Sequence, residues 1–210
     1  MTDNDALDDY IEAHIDTEPD VLYTLYRRTH LTRLYPRMCS GHIQGSILSM
    51  LTRMIRPHRI LELGTFTGYS TLAFALAMPQ GCTIDTVEID TEYADELRNL
   101  FEPYSISLHI GDARDLIAPL MSAGEPFDMI FIDADKRAYP DYYEEIMRHV
   151  RPGTFILADN TLWDGKVVEP AAADHQTAGI RRFNDLVAAD PRLTKAIIPV
   201  RDGLTLLQVK

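Results

Sequence analysis

From Arg59 onward, apolar runs of strand length alternate with stretches of helical periodicity, and this repetition constrains the fold more than any other feature of the chain. A strand, a helix and a further apolar strand return to one sheet as a right-handed crossover, so successive strands run parallel. Strands are expected at Ile60 to Leu63, Thr83 to Glu88, Ser107 to Ile110, Met129 to Ile132 and Thr154 to Ala158. Helices are expected near Ser70 to Ala77, Glu92 to Phe101, Ala113 to Met121, Asp141 to Val150 and Thr177 to Ala189. The chain then reads as Ala196 to Val200 and Leu204 to Val209 around Asp202-Gly203, a dipeptide suited to a hairpin turn, so an antiparallel pair closes a mostly parallel sheet. Ahead of the first strand the pattern from Met1 to Arg56 is helical. Tyr10, Ile11, His14 and Ile15 share one helical face, Pro19 opens a second helix, and a third runs from near Gly41 to Pro57. Asp164 to Thr177 reads as a mobile loop over the site.

At 210 residues with 46% hydrophobic content, the chain fits a single domain over 1–210, with a helical segment at 1–56 and a sheet at 57–210. A net charge of -12 repels a phosphate backbone over most of the surface, which makes nucleic acid a poor default partner. Arg27, Arg28, Arg33 and Arg37 form one modest basic cluster. No positively charged start followed by an apolar stretch opens the chain and no run approaches 18 apolar residues, so a cytoplasmic location without membrane spanning is the expectation. Cys39 and Cys82 lack C-x-x-C spacing and are expected as reduced, packed thiols. Neither H-E-x-x-H nor G-x-S-x-G occurs, so metalloprotease and serine-hydrolase chemistry find no support.

The stretch RILELGTFTGYS, from Arg59 to Ser70, runs from a buried strand through a turn bounded by Gly64 and Gly68 into a helix carrying Ser70 and Thr71. In a parallel sheet the ligand crevice lies beyond the carboxyl ends of the strands. The G-x-x-x-G spacing lacks the G-x-G-x-x-G of dinucleotide folds and the G-K-[ST] of a phosphate loop, which speaks against pyrophosphate and against a nicotinamide oxidoreductase. Glu88, at the end of the second strand, is placed to accept hydrogen bonds from both hydroxyls of a ribose. Asp112 can meet a base edge or cap the following helix. Asp133 and Asp135 follow the fourth strand, and Asp159 with Asn160 follows the fifth. Adjacent strands lie ~5 Å apart, so Asp133, Asp159 and Asn160 can converge beside Gly64. Oxygen donors without His or Cys suit a hard cation, Mg²⁺ first, with open positions for water or substrate oxygens. Lys136, three residues past Asp133, is in reach of the same pocket, where a nearby cation would lower its pKa toward that of a general base. Trp163 can wall off a flat substrate or pack under the loop.

Taken in order, ILELGTFTGYS, VEID, GDA, FIDADKRAYPDYY, LADNTLWDGKV, IRRFN, DPR and DGL resemble the cation-dependent O-methyltransferase family that includes caffeoyl-coenzyme A and catechol O-methyltransferases, from about Met38 to the C-terminus. The resemblance implies an α/β, Rossmann-like methyltransferase fold, a seven-stranded mostly parallel sheet with an antiparallel C-terminal hairpin and helices on both faces. It implies S-adenosylmethionine as methyl donor and a vicinal diphenol as acceptor, with Mg²⁺, or Mn²⁺ or Ca²⁺, as cation. Carried over by motif, Ser40, Glu62, Gly64, Thr65, Ser70, Glu88, Ala113, Asp135 and Tyr142 would line the donor. Asp133, Asp159 and Asn160 would hold the cation, Lys136 would act as base with Asp133 beside it, and Met38, Trp163 and Asp164 would face the acceptor. A homodimer is expected, and a hydroxylated uridine of transfer RNA stands as the alternative acceptor. The departures lie near the start: Gly45-Ser46 stands where the family commonly has Gly-Gln, and Met1 to Arg37 aligns with little.

Overall fold

The computed structural model describes residues 5–210; the helical expectation for the first four lies outside the described residues. Three helices come first, α1 (Asp5–Glu12), α2 (Asp20–Thr32) and α3 (Gly41–Ile55). The alternating block follows as β1 (Arg59–Leu63), α4 (Tyr69–Ala77), β2 (Thr83–Glu88), α5 (Ala94–Phe101), β3 (Ile106–Ile110), α6 (Ala113–Ser122), β4 (Met129–Ile132), α7 (Tyr139–Ile146), β5 (Phe155–Ala158) and α8 (His175–Ala189). Strands β6 (Leu193–Ile198) and β7 (Leu204–Val209) end the chain. The sheet order is β3-β2-β1-β4-β5-β7-β6; β1 to β5 pair in parallel, and β7 is antiparallel to both β5 and β6. Among the described residues no helix is long and apolar enough to cross a membrane.

The central strands are apolar throughout because helices cover both faces. Side chains alternate across a strand, so Leu61, Leu63, Ile130, Ile132, Ile156 and Ala158 pack toward Tyr139, Ile180 and Phe183, whereas Ile60, Met129, Phe131 and Leu157 pack toward Leu48 and Phe74. Phe74 and Phe131 meet edge to face, ring centres 5.3 Å apart, and complete burial of each such ring contributes about 2–3 kcal/mol. On α2, Leu22 and Leu25 join Tyr69, Leu72, Leu97 and Phe101, seating the N-terminal helices on α4 and α5. Both cysteines are free and buried.

Four local expectations change. The first helix ends at Glu12, leaving His14 and Ile15 in the following turn. The stretch after Lys136 begins as a 3-10 turn, Lys136–Ala138, and α7 starts at Tyr139, where Pro140 fits the first turn. Strand β6 begins at Leu193 and stops at Ile198, because Pro199 has no N–H to continue the ladder; a five-residue connection, rather than a two-residue Asp-Gly turn, joins it to β7. The segment from Asp164 to Thr177 is anchored: the Arg181 guanidinium on α8 donates to the carbonyls of Lys166 (2.7 Å), Val167 (3.0 Å), Ala172 (2.8 Å) and Glu169. Gathering so many carbonyls requires a planar multidonor group at the centre of the loop, which composition alone does not reveal.

Helix α8 also presses on the Lys136 turn, since a Cβ on Gly179 would stand 2.4 Å from the Lys136 carbonyl oxygen. Gly179→Ala should therefore lower stability by about 1–3 kcal/mol through overpacking. Urea unfolding checks this, and an unchanged midpoint would show that the two elements can separate freely.

Candidate active site

The sheet order reverses between β1 and β4, and the crevice opens there, as expected at a switch point. Register sets its depth: Leu63 pairs with Ile132 and Ile132 with Ala158, so Gly64, Asp133 and Asp159 emerge at one level. The resulting cleft has a volume of about 1350 Å³ and is roofed by the segment from Thr32 to Ser40. Gly64 sits at φ +98°, and a Cβ there would lie 2.1 Å from the Asp133 carbonyl oxygen. The glycine is thus demanded first by the approach of β4 and only then by any ligand.

Gly64, Thr65, Ser70, Glu88, Ala113, Asp135 and Tyr142 line the wall of the cleft, joined from the roof by Ser40. Glu88 is buried and accepts from the backbone N–H of Phe66 at 2.6 Å and of Asp90 at 2.8 Å. Burial raises its pKa, and its remaining lone pairs are free for further donors. Asp112 and Asp135 each cap the turn that follows and grip the arginine two residues on, Arg114 and Arg137, which holds both carboxyls below the usual range. Burial pushes the Tyr142 phenol up to about 12, so it remains a neutral hydroxyl.

Glu62 stands apart from this wall. It faces α4 from within β1, fully buried, where it accepts from the hydroxyls of Ser70 (2.6 Å), Thr86 (2.6 Å) and Thr71. Thr65 lies 2.6 Å from Thr86, so a chain of hydroxyls runs from the cleft to Glu62. Glu62, expected to line the pocket, does not itself line the cleft but lies behind Thr65 and Ser70 and helps fix them. Desolvation raises its pKa from 4.5 to about 7 despite the three donors.

Asp133, Lys136, Asp159 and Asn160 line the same cleft. Lys136 is buried rather than exposed; its Nζ donates to Asp133 Oδ1 at 2.5 Å and to the Tyr139 hydroxyl at 3.0 Å. That hydroxyl is also 3.0 Å from the carbonyls of Ile132 and Asp159, tying α7 to both strand ends. Asp159 is buried; its Oδ2 accepts from Gln44 Nε2 at 2.7 Å, and its Oδ1 has no partner. Burial, with the Asp133 charge adding to it, pushes its carboxyl up to about 6. Asn160 adopts a left-handed backbone, φ +59°, which asparagine tolerates. Among the described residues no group of three or more His, Cys, Asp or Glu side chains gathers to hold an ion. What lines the cleft here is two carboxylates and one amide, with one buried carboxylate oxygen unsatisfied, and oxygen donors of this kind are chemically suited to a hard cation.

Trp163 and Met38 line the open part of the cleft, and the Trp163 indole N–H is buried without a partner. Asp164 does not line it: three successive positive φ values, at Trp163, Asp164 and Gly165, turn its exposed side chain out of the wall. The basic cluster is divided, because Arg28 and Arg33 both pair with Glu96 and Arg33 lies 4.3 Å over the Tyr93 ring. Three participants escaped sequence reasoning: Gln44, Arg201 and Tyr139. For Gln44 a signal existed, since it stands with Leu48 and Thr52 on the buried face of α3.

A family model described as O-methyltransferase matches residues 12–210 of this chain. The catechol O-methyltransferase of Niastella koreensis is 33% identical over 216 residues, covering 98% of this chain and 97% of its own. The crystal structure of the Bacillus cereus O-methyltransferase in complex with SAH has a TM-score of 0.90 at 32% identity, covering 98% of this chain and 97% of that one. The O-methyltransferase TomG of Streptomyces achromogenes, in complex with SAM, also has a TM-score of 0.90, at 28% identity over the whole of both chains.

Glu62 provides a pH test. Its folded pKa of about 7 exceeds its ordinary 4.5, so the folded state holds the proton more tightly and stability falls as pH rises from 4.5 through 7. Glu62→Gln lacks this titration. Urea unfolding at pH 5 and pH 8 should find the variant gaining about 2–3 kcal/mol on the native chain between the two; a gap independent of pH would contradict the protonated, buried state.

Proposed function

The chain belongs to the O-methyltransferase family, and we propose that it transfers the methyl group of S-adenosylmethionine to one hydroxyl of a catechol-like small molecule, assisted by a divalent cation. The observation that carries this reading is the buried, unpartnered Asp159 Oδ1 beside the Asp133–Lys136 pair, at the strand-end level of Gly64.

The donor would lie along Gly64, Thr65, Ser70, Glu88, Ala113, Asp135 and Tyr142, with Ser40 above it. Glu88, oriented by two backbone N–H groups, would accept from the ribose hydroxyls. No pyrophosphate cradle is needed for a donor that has none, in keeping with the G-x-x-x-G turn. The SAH and SAM complexes of the Bacillus and Streptomyces relatives support this choice of donor.

Asp133, Asp159 and Asn160 would hold the cation, Mg²⁺ first, with Mn²⁺ or Ca²⁺ compatible with the same oxygen set. Bound there, it would supply Lewis acidity toward an acceptor hydroxyl. Lys136 Nζ would take the hydroxyl proton, and the resulting ammonium is already provided with Asp133 and Tyr139 as acceptors. Met38 and Trp163 would flank the ring of the acceptor. Holding nucleophile and methyl in line in the cleft would contribute much of the acceleration. The engagement of Arg28 and Arg33 by Glu96 favours a small phenol over transfer RNA as acceptor.

Asp159→Ala should abolish cation-dependent methylation of a simple catechol while S-adenosylmethionine binding, measured by calorimetry, persists; undiminished turnover by this variant in the presence of chelator would sink the metal role. Lys136→Met should lower kcat by roughly 10²–10⁴-fold with the cation requirement retained. Steady-state kinetics on the same catechol measures this, and a kcat within twofold of the native value would remove Lys136 from the proton transfer.

A further inference from the structure

Gln44 is 1% exposed, and both ends of its amide are engaged. Nε2 donates to Asp159 Oδ2 at 2.7 Å, and Oε1 accepts from Arg201 Nη1 at 2.9 Å. The amide has only one sensible orientation: a guanidinium can only donate, so the oxygen faces Arg201 and the nitrogen faces the carboxylate. Arg201 is itself immobilised, donating to the carbonyls of Cys39 (3.0 Å), Arg37 (3.1 Å) and Ser40 from the β6–β7 connection. The chain Arg201, Gln44, Asp159 thus joins three regions distant in sequence, and Gln44 does not itself line the cleft. It occupies one carboxylate oxygen of Asp159 and leaves the other, buried Oδ1, without any partner.

We propose that Gln44 is the positioning residue of the cation site: by engaging Oδ2 it fixes the Asp159 carboxylate so that Oδ1 is presented to the ion, and Arg201 holds the amide in the orientation that does this. The inference rests on the reading of Asp133, Asp159 and Asn160 as cation ligands. An apolar side chain of similar length would fill the same space without fixing the carboxylate. Partners of ligating groups commonly alter metal affinity by 10- to 100-fold when removed.

The test is Mn²⁺ binding to the full chain at one pH, followed by the electron paramagnetic resonance of the free ion, for the native protein, Gln44→Met, Arg201→Met and Asp159→Ala. Melting temperature and affinity for S-adenosylhomocysteine are measured alongside. Gln44→Met should weaken Mn²⁺ binding roughly 10- to 100-fold with S-adenosylhomocysteine affinity unchanged, and Arg201→Met should weaken it in the same direction by less. A folded Gln44→Met protein with native Mn²⁺ affinity, whatever its melting temperature, reduces Gln44 to a packing role and overturns the proposal. Should Gln44→Met fail to fold, native Mn²⁺ affinity in Arg201→Met overturns it instead. Native protein that binds no Mn²⁺, or no more than Asp159→Ala does, overturns the cation reading itself, and the positioning role with it.

Discussion

The carbonyl oxygen of Asp133 occupies the space that a Cβ on residue 64 would need. This contact, where the order of the parallel strands reverses, sets how closely the turn after β1 approaches the end of β4. Everything in the cleft is measured from it. Register carries the same level across to Asp159, through the N–H of Asp133 on Leu63 and that of Asp159 on Ile132. Because the glycine admits the neighbouring backbone, Thr65, Ser70 and Glu88 line one cleft together with Asp133, Lys136, Asp159 and Asn160 rather than separate pockets.

Buried acid is the recurrent difficulty of such an arrangement, and each carboxylate meets it differently. Glu62 is met by three hydroxyls and still keeps its proton to about pH 7. Glu88 receives two backbone N–H groups, the half-buried Asp133 a lysine, and Asp159 one amide with its second oxygen unmet. A chain carrying 32 acidic against 20 basic residues therefore places its internal acids under distinct local control. The pattern has a functional sense. Satisfied acids organise the wall, and the least satisfied one, Asp159, stands in the cleft with Asp133 and Lys136.

The N-terminal helices contribute more than a cover. Residues of α3 and of the segment before it reach the strand ends through Gln44 and through carbonyls gathered by Arg201, while Leu22 and Leu25 of α2 anchor the block in apolar contacts. The loop after Asn160 is handled in the same way from the other side, by Arg181. In both places one guanidinium collects backbone carbonyls and so turns irregular chain into a defined wall.

Local pattern was sufficient for the order of strands and helices, because the periodicity of apolar residues and the glycine turns act over a few residues; β2, β4 and β7 agree to the residue with the ranges expected. It also showed that Asp133, Asp159 and Asn160 follow strands as Gly64 does and so can reach one edge; that β1, β4 and β5 are neighbours ending at one level was decided by the strand order and register of the folded sheet. Tertiary structure alone decided the rest. Glu62 is hidden behind Ser70 because alternation along β1 points it at α4, and Asp164 leaves the wall because of backbone angles that no composition predicts. Gln44 lies 115 positions from Asp159 and 157 from Arg201, and only packing of α3 against the strand ends can make one hydrogen-bonded chain of residues so far apart.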